Sequence, residues 1–574
     1  MRKGFDPIYE SRKVTDLKDL LYSGLELYAD HPLFLEKSKE SGKFETVLYK
    51  DYVKEVEYLG TALTELGLKD TYVGVMGENR YRWTTSYMAV VNGVGTVVPI
   101  DKELPVNEIL NIIKRCTPSA ILFSGKKSKQ IEAAAADAPL VKYFIGMDIK
   151  PDEEHDRFLS YEKIISKGKE LLEGGNTDYT SVEIDAKAIK ILLFTSATTS
   201  ESKAAKLSHY NIAENLMSMS TIINIKESDR FLSILPLHHT YECTCGFLCP
   251  LYRGGSIAFC QGLKYIVDDL KASGATVMLG VPLLFESMYK KLWKKAEASG
   301  SADKMRKALK ISGFLLKLKI DVRKKLFASI YNGLGGNIRM FISGAAAISP
   351  DVAVFFRGIG LAFLQGYGLT ECAPILALNS DIDFVDAAAG KAIPGIEIQI
   401  WEPNDEGVGE IVAKGPNIFE GYLDQPELNK EIFEGGYFHT GDMGYMDDEG
   451  FVFITGRKKC VIVTQNGKNI YPEEIELLIN AHPYVAESMV FGKSVDGSKE
   501  EIITASIYPD LEAFEAEFKK SDSELVESKI KEMIREINTK LINYKKVKDI
   551  IIRTKEFTKT TTSKIKRYVP ENME

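Results

Sequence analysis

Through the first 344 residues, short β-branched runs alternate with helical stretches, and this alternation limits the fold more than any other feature. Apolar runs at 72–76, 95–100, 120–124 and 143–146 are separated by segments with helical spacing, and the pattern resumes over 189–344. Helical periodicity at 17–28 and 49–67 precedes them. Strands that alternate with helices predict βαβ units, a parallel sheet and an α/β fold class. Past Gly390 the rhythm changes. Runs at 396–401, 409–414 and 450–455 are joined by short acidic turns, which predicts a β-rich subdomain over about 390–456. The charged, glycine-led Gly456-Arg457-Lys458-Lys459 follows a strand and predicts a linker. The chain then reads as a large domain, 1–456, and a small mobile α/β domain, 457–574, with a charged helix over 523–541.

Charge and composition remove some function classes. A net charge of −8 over 574 residues argues against nucleic acid as a partner. The apolar stretch 88–100 is too short and too broken by glycine to span a bilayer. The first residues lack the apolar core of a secretory leader, which predicts a cytoplasmic enzyme. Cys243, Cys245 and Cys249 cluster, but without the paired Cys-x-x-Cys knuckles of a zinc site they read as buried thiols.

Five separate stretches carry chemistry. Phe194-Thr195-Ser196-Ala197-Thr198-Thr199-Ser200-Glu201-Ser202-Lys203 follows an apolar run and precedes a helix expected after Ser208. A hydroxyl-rich loop between strand and helix offers N–H groups, hydroxyls and one ammonium to phosphate oxygens. An exposed Ser/Thr turn fits those residues equally well. Gln365-Gly366-Tyr367-Gly368-Leu369-Thr370-Glu371 supplies a flat ring between glycines, a hydroxyl and a hard carboxylate suited to Mg²⁺. The alternative is a tight turn with a packed tyrosine. In Thr440-Gly441-Asp442 one carboxylate can accept both hydroxyls of a ribose. Arg457 is placed to reach a nucleotide across the linker, and Lys459 to absorb a backbone rotation. Pro472-Glu473-Glu474 reads as a helix start. Lys564, in a Thr/Ser-rich tail, can stabilise charge developing at an attacked α-phosphate, with Lys559 and Lys566 as rivals.

In this order and spacing the set resembles the adenylate-forming superfamily of acyl-CoA synthetases, luciferases and peptide-synthetase adenylation domains. The resemblance extends to Gly77-Glu78-Asn79-Arg80, Pro99-Ile100-Asp101 and Leu235-Pro236-Leu237-His238-His239-Thr240-Tyr241-Glu242. Among its branches the chain is most similar to bacterial long-chain fatty-acid–CoA ligases. The resemblance implies a phosphate loop at Thr195, Ser196, Thr198, Thr199 and Lys203. It implies an adenine pocket at Gly344, Ala345, Gly366, Tyr367 and Gly368, with Thr370 at phosphate and Glu371 at magnesium. Asp442 and Arg457 would hold the ribose, Lys459 would be the hinge, Lys564 the adenylation lysine, and His239 would line the acyl pocket. Thr370, Glu371, Lys203 and Lys564 would carry catalysis.

The chain departs from the family's loop. Ala197, Ser200, Ser202 and Ala204 stand where the family has three glycines and a proline, and Ser563 replaces a glycine before the tail lysine. Any of these held at positive φ would cost about 1–2 kcal/mol. The activity implied is ATP-dependent activation of a fatty acid to an acyl-adenylate, then transfer to CoA, with Mg²⁺. Transfer to a carrier-protein thiol, or a nucleotide-binding sensor without turnover, are the alternatives. A homodimer stays open. Between 303 and 325, nine Lys/Arg and two acids interleave with Phe314, Leu315, Leu316 and Leu318. This stretch reads either as a face resting on an anionic membrane or as a solvated helical surface.

Overall fold

Residue-by-residue alternation of apolar side chains sorts the strands of two large sheets into inner and outer faces. The computed structural model describes residues 4–38, 40–195, 202–463, 468–494, 501–560 and 564–574. In one sheet seven strands lie in the order Phe158–Ser160, Tyr143–Gly146, Ala120–Phe123, Thr71–Met76, Gly95–Ile100, Ile189–Thr195 and Lys203–Ser208. All neighbours are parallel except the last pair. In the second sheet nine strands run from Lys391–Ala392 through Ile375–Leu378, Ala362–Gly368, Met340–Ser343, Val277–Gly280, Arg230–Ser233, Ser256–Phe259 and Pro32–Lys37 to Phe44–Leu48. Its centre is parallel and both edges are antiparallel.

Val73, Val97 and Leu122 from the first sheet share one continuous core with Val277, Met340 and Leu364 from the second. Between the sheets lie helices Tyr49–Glu65, Tyr81–Ala89 and His209–Ser220. The alternate residues Val98, Ile121 and Phe123 face a separate core under helices Val106–Cys116 and Ser128–Ala136. On the second sheet Met278, Phe341 and Phe363 do the same under Ile266–Ser273, Pro282–Ala298 and Pro350–Ile359. A capping box between Ser208 and Asn211 starts the helix that follows the phosphate-loop hairpin. His209, its first residue, accepts from the Leu17 amide through Nδ1 (3.1 Å) and donates from Nε2 to the Val91 carbonyl (3.0 Å). Burial pushes this imidazole down to about 4, so it is neutral at pH 7.

The β-rich subdomain is an antiparallel meander, Glu397–Trp401, Gly409–Lys414, Phe438–Met446 and Val452–Arg457. Lys391–Ala392 edges the nine-stranded sheet, Gly390 just before it bridges Val452 of the meander's last strand, and the meander's own first strand is Glu397–Trp401. The last strand of the meander runs through Arg457, which pairs with Asp442 across the ladder. The C-terminal unit then has its own core around Ile475, Ile507, Ile530 and Ile534. There a three-stranded sheet, Val485–Ser494, Glu501–Pro509 and Asp549–Ile552, packs with helices Pro472–Asn480 and Ser523–Lys540. Lys290 of the large domain donates to the Asn480 and Val485 carbonyls, both at 3.2 Å.

Candidate active site

The residues singled out from sequence gather at the C-terminal ends of parallel strands, where open α/β sheets form their ligand crevice. Thr195 ends the strand Ile189–Thr195, and Thr370-Glu371 follows Ala362–Gly368. Gly344 follows Met340–Ser343, and His238-His239 lies beyond Arg230–Ser233.

The phosphate-loop geometry corrects one expectation. The chain does not pass from strand through loop into helix. It turns back as a β-hairpin, with Lys203–Ser208 antiparallel to Ile189–Thr195 and Thr195 opposite Lys203. The Thr195 hydroxyl donates to the Lys203 carbonyl (3.2 Å). Lys203 thus begins a strand, and the helix that follows starts only at His209. Its ammonium lies 4.9 Å from the centre of the Tyr422 ring. Burial lowers its affinity for a proton, Lys459 adds to this, and Glu371 opposes it. The strain expected from missing glycines does not arise at Ala204, which is buried within the strand and is not at positive φ. Ser196, Ala197, Thr198, Thr199 and Ser200 lie outside the described residues, as does Ser563.

Asp442 sits within the strand Phe438–Met446, directly after Gly441, whose φ is +71°. The carboxylate is buried. Tyr367 Oη donates to its Oδ2 (2.8 Å) and Arg457 Nε lies 2.9 Å from Oδ1. Burial raises this carboxyl, and Arg457 and the Tyr367 bond offset that only in part. The Tyr367 phenol is therefore tied by its hydroxyl to the candidate ribose carboxylate. The flanking glycines also serve the chain itself. A Cβ on Gly368 would meet the Pro374 carbonyl oxygen at 1.7 Å, and one on Gly366 would come within 3.0 Å of Leu378. Gly344 makes room for the ring of Tyr241, which a Cβ would meet at 2.9 Å. Ala345 next to it is exposed and takes φ +74°.

Glu371 is buried in the short turn Thr370–Cys372, and its Oε1 accepts a 2.5 Å hydrogen bond from Tyr422 Oη. The Thr240 hydroxyl donates to that of Thr370 (3.5 Å). One carboxylate with an adjacent hydroxyl fits Mg²⁺, which binds through one or two protein oxygens and shares the rest with phosphates and water. Tyr422 thus touches both Lys203 and Glu371. Sequence gave no sign of it, since a tyrosine before an acidic turn looks like any surface aromatic.

Lys564 belongs to the C-terminal unit; desolvation and the charge of Arg457 lower its ammonium, while Asp442 and Glu371 raise it. The described residues on either side of Lys564 are paired. The Thr560 amide donates to the Lys564 carbonyl (2.7 Å), the Lys564 amide donates to Thr560 Oγ1 (3.1 Å), and Lys559 bridges Ile565. Behind it, Arg567 is held by Glu476, and the buried Asn572 donates to the Thr558 and Lys566 carbonyls, both at 2.9 Å. Lys559 pairs with Glu487 at 2.7 Å, which engages that rival elsewhere.

Lys459 lies exposed in the turn Lys458–Cys460. Its neighbour Lys458 is bound to Glu410 (2.7 Å), whose carboxylate also contacts His439 Nδ1 (3.0 Å) and accepts from the Gly441 amide (3.0 Å). Glu410, which sequence reading passed over, therefore ties the strand bearing Asp442 to the start of the linker.

His239 stands beside His238, their ring centres 4.0 Å apart, and His238 Nε2 lies 3.5 Å from Asp101 Oδ2. Burial holds the His239 imidazole well below its ordinary value, and His238 adds to this, so it is neutral at pH 7. Asn79 donates to the Ser233 hydroxyl (2.8 Å) and the Leu235 carbonyl (2.6 Å), bracing the segment that carries both histidines. Glu242 behind them is fully buried, accepts from Ser233 Oγ (2.5 Å), and is pushed up by burial to about 8. Cys243, Cys245 and Cys249 are buried free thiols in the same segment.

The described residues contain no helix long and apolar enough to cross a membrane. Comparison with known proteins gives consistent matches. The model of the AMP-binding enzyme family matches residues 26–423, and that of the AMP-binding enzyme C-terminal domain matches 459–571. Long-chain-fatty-acid–CoA ligase 1 of Cavia porcellus is 28% identical over 535 residues, which is 88% of this chain and 75% of that protein. Long-chain-fatty-acid–CoA ligase 6 of Mus musculus is 30% identical over 502 residues, 82% of this chain and 71% of that protein. The crystal structure of the anthranilate CoA ligase AuaEII with anthranoyl-AMP superposes with a TM-score of 0.75 at 20% identity, covering 98% of this chain and 96% of that one.

Proposed function

The chain belongs to the AMP-binding enzyme family, and from that membership we propose that it is an ATP-dependent ligase joining a long-chain fatty acid to CoA through an acyl-adenylate. The observation that carries this reading is the buried Asp442 carboxylate, bound by Tyr367 (2.8 Å) and Arg457 (2.9 Å) just before the linker that leads to the unit bearing Lys564.

Asp442 accepts the ribose hydroxyls of ATP, held in place by Tyr367 and Arg457. Thr195, Lys203 and Thr370 contact the phosphates, with Ser196, Thr198 and Thr199 completing the loop. Gly344, Ala345 and the Gly366–Gly368 strand form the adenine wall. Glu371 would hold magnesium, which when bound would supply charge neutralisation at the phosphates. The fatty carboxylate attacks the α-phosphorus, the α–β bridging bond breaks, and pyrophosphate leaves. Lys564 and Lys203 stabilise the charge that builds on the phosphate oxygens. Neutral His239 lines the acyl pocket, where an uncharged ring suits an apolar chain.

The C-terminal unit, from Lys458 onward, then rotates about Lys459 and withdraws Lys564. The CoA sulfur attacks the acyl carbonyl, and AMP leaves with the electron pair of the anhydride bond. CoA is favoured over a carrier-protein thiol because the matched relatives are named as CoA ligases. A hydroxylamine-trapping screen over short, medium, long and aromatic acids, with and without CoA, tests the reading. Long-chain acids give the highest hydroxamate yield, and CoA diverts it to thioester. Trapping with none of the acids would refute the activity.

A further inference from the structure

Two histidines and an aspartate meet where the two large sheets border the crevice, and the reaction above uses only one of the three. Asp101 directly follows the strand Gly95–Ile100 of the seven-stranded sheet, and His238-His239 lie beyond Arg230–Ser233 of the nine-stranded one. Hydrogen bonds to the backbone set both sides. Asp101 Oδ1 accepts from the Glu103 amide (2.9 Å), and Asn79 Oδ1 accepts from the Leu237 amide (3.2 Å). The His239 amide donates to the Pro236 carbonyl (3.1 Å), and the His239 carbonyl accepts from the Cys243 amide (2.9 Å) in the helix Tyr241–Leu248.

The spacing is that of metal ligands rather than of a hydrogen-bonded pair. One ligand-type atom from each of Asp101, His238 and His239 lies within 4.8 Å of the other two. His238 Nε2 stands 3.5 Å from Asp101 Oδ2, beyond the length of an N–H···O bond. Two ligands of a tetrahedral ion, each about 2.1 Å from it, stand about 3.4 Å apart. The His238 side chain is only 7% exposed, and Nε2 of both histidines is buried without a hydrogen-bond partner. Such orphaned ring nitrogens are costly to bury. A proton shared between His238 and Asp101 would leave His239 unserved, whereas one cation takes a ligand from all three. Two imidazoles and a carboxylate suit Zn²⁺ and its late first-row neighbours, while Mg²⁺ prefers a shell of oxygens. Three protein ligands also leave a fourth position open. We propose that Asp101, His238 and His239 form a second cation site, for Zn²⁺ or a similar ion, and that its occupation blocks the acyl pocket. The cation site is argued from its own side chains. The block rests on the ligase reading, because the open position would capture the incoming carboxylate and engage the lone pair needed to attack phosphorus.

Equilibrium dialysis of the full chain against Zn²⁺ in excess Mg²⁺, without nucleotide, tests the site. The chain retains Zn²⁺, and Co²⁺ in its place gives the visible bands of a tetrahedral nitrogen–oxygen set, with no sulfur-to-cobalt charge transfer from the nearby Cys243, Cys245 and Cys249. His238→Gln and, separately, Asp101→Asn weaken Zn²⁺ binding about tenfold or more. Glu371→Gln, at the magnesium position, leaves it unchanged. Circular dichroism reports the fold of each variant, and the parent's own Co²⁺ spectrum decides the ligand type even where a variant misfolds. No uptake by the parent, unchanged uptake by both ligand variants, or a sulfur-type spectrum would overturn the site. Pyrophosphate release at buffered free Zn²⁺ then tests the block. Zn²⁺ inhibits the parent, a chelator restores it, and His238→Gln needs about tenfold more Zn²⁺ for the same inhibition. Turnover unaffected by saturating Zn²⁺ would overturn the block. A chain with no turnover in the absence of Zn²⁺ refutes the ligase reading and the block with it, while dialysis decides the cation site on its own.

Discussion

Glu242→Gln is the perturbation whose size follows most directly from the structure. The carboxyl is fully buried behind the two pocket histidines, has Ser233 Oγ as a 2.5 Å donor, and is raised from 4.5 to about 8. An acid raised in this way is protonated in the folded chain and ionised in the unfolded chain at neutral pH. The folded state therefore binds the extra proton, and its stability is greatest below pH 4.5 and is lost as the pH climbs to about 8. At 1.36 kcal/mol per pH unit the loss amounts to about 3 kcal/mol at pH 7 and about 5 kcal/mol above pH 8. Glutamine keeps the acceptor for Ser233 and never ionises. The variant thus matches the parent near pH 4.5 and becomes progressively more stable from there to pH 8. Thermal unfolding of both proteins across this range reads the difference as a gap in Tm that widens by a few degrees. A gap that does not change between pH 5 and pH 8.5 would refute the placement of a neutral carboxylic acid behind the pocket.

Other perturbations probe the site itself. Tyr422→Phe keeps the ring beside Lys203 and removes the donor to Glu371, a charge-assisted bond of about 1.5–3 kcal/mol, so the magnesium concentration for half-maximal adenylation rises about tenfold or more. An unchanged magnesium titration would count against Glu371 as the metal residue. Asp442→Asn removes the ribose carboxylate, and calorimetry gives an ATP Kd weaker by about 30-fold. An unaltered Kd would remove Asp442 from the nucleotide site. Lys459→Pro fixes one φ angle in the exposed turn Lys458–Cys460 and slows thioester formation about tenfold or more beyond any effect on adenylation, a split that stopped-flow assays of each half-reaction resolve. Equal slowing of both would place the pivot elsewhere.

Periodicity made most of the fold legible. The helix expected at 17–28 is Leu17–Tyr28, and the strands expected at 95–100 and 143–146 are Gly95–Ile100 and Tyr143–Gly146. In each, local spacing and tertiary burial agree. The failures fall where they do not. Lys203–Ser208 reads Lys-Ala-Ala-Lys-Leu-Ser, a poor strand former, and is extended because it pairs with Ile189–Thr195. Phe438–Met446 contains two glycines around Asp442 and reads as a turn, yet neighbours on both sides hold it in the meander.

The candidate site was legible as a set of residue types but not as a network. Nothing local to Asp442 announces Tyr367 seventy-five positions away, and nothing local to Glu371 announces Tyr422. Among the three tail lysines, residue type offers no choice, and the family resemblance selects Lys564. The Lys559–Glu487 pair that engages its rival is tertiary and has no local sign. The helix-start reading of Glu473 and Glu474 describes their positions correctly but not their reach. Glu474 binds Lys545 at 2.7 Å, and Glu473, with Glu476, faces Arg567 behind the segment that carries Lys564.

The account stands or falls on Lys564 acting in one half-reaction and not the other. Purified Lys564→Ala protein is assayed twice, for pyrophosphate release from MgATP with a long-chain acid, and for acyl-CoA formation from supplied acyl-adenylate and CoA. The predicted result is loss of the first by several powers of ten with the second retained. Equal loss of both, or full pyrophosphate release by the variant, would contradict a crevice in which the tail lysine completes an ATP site and then leaves it.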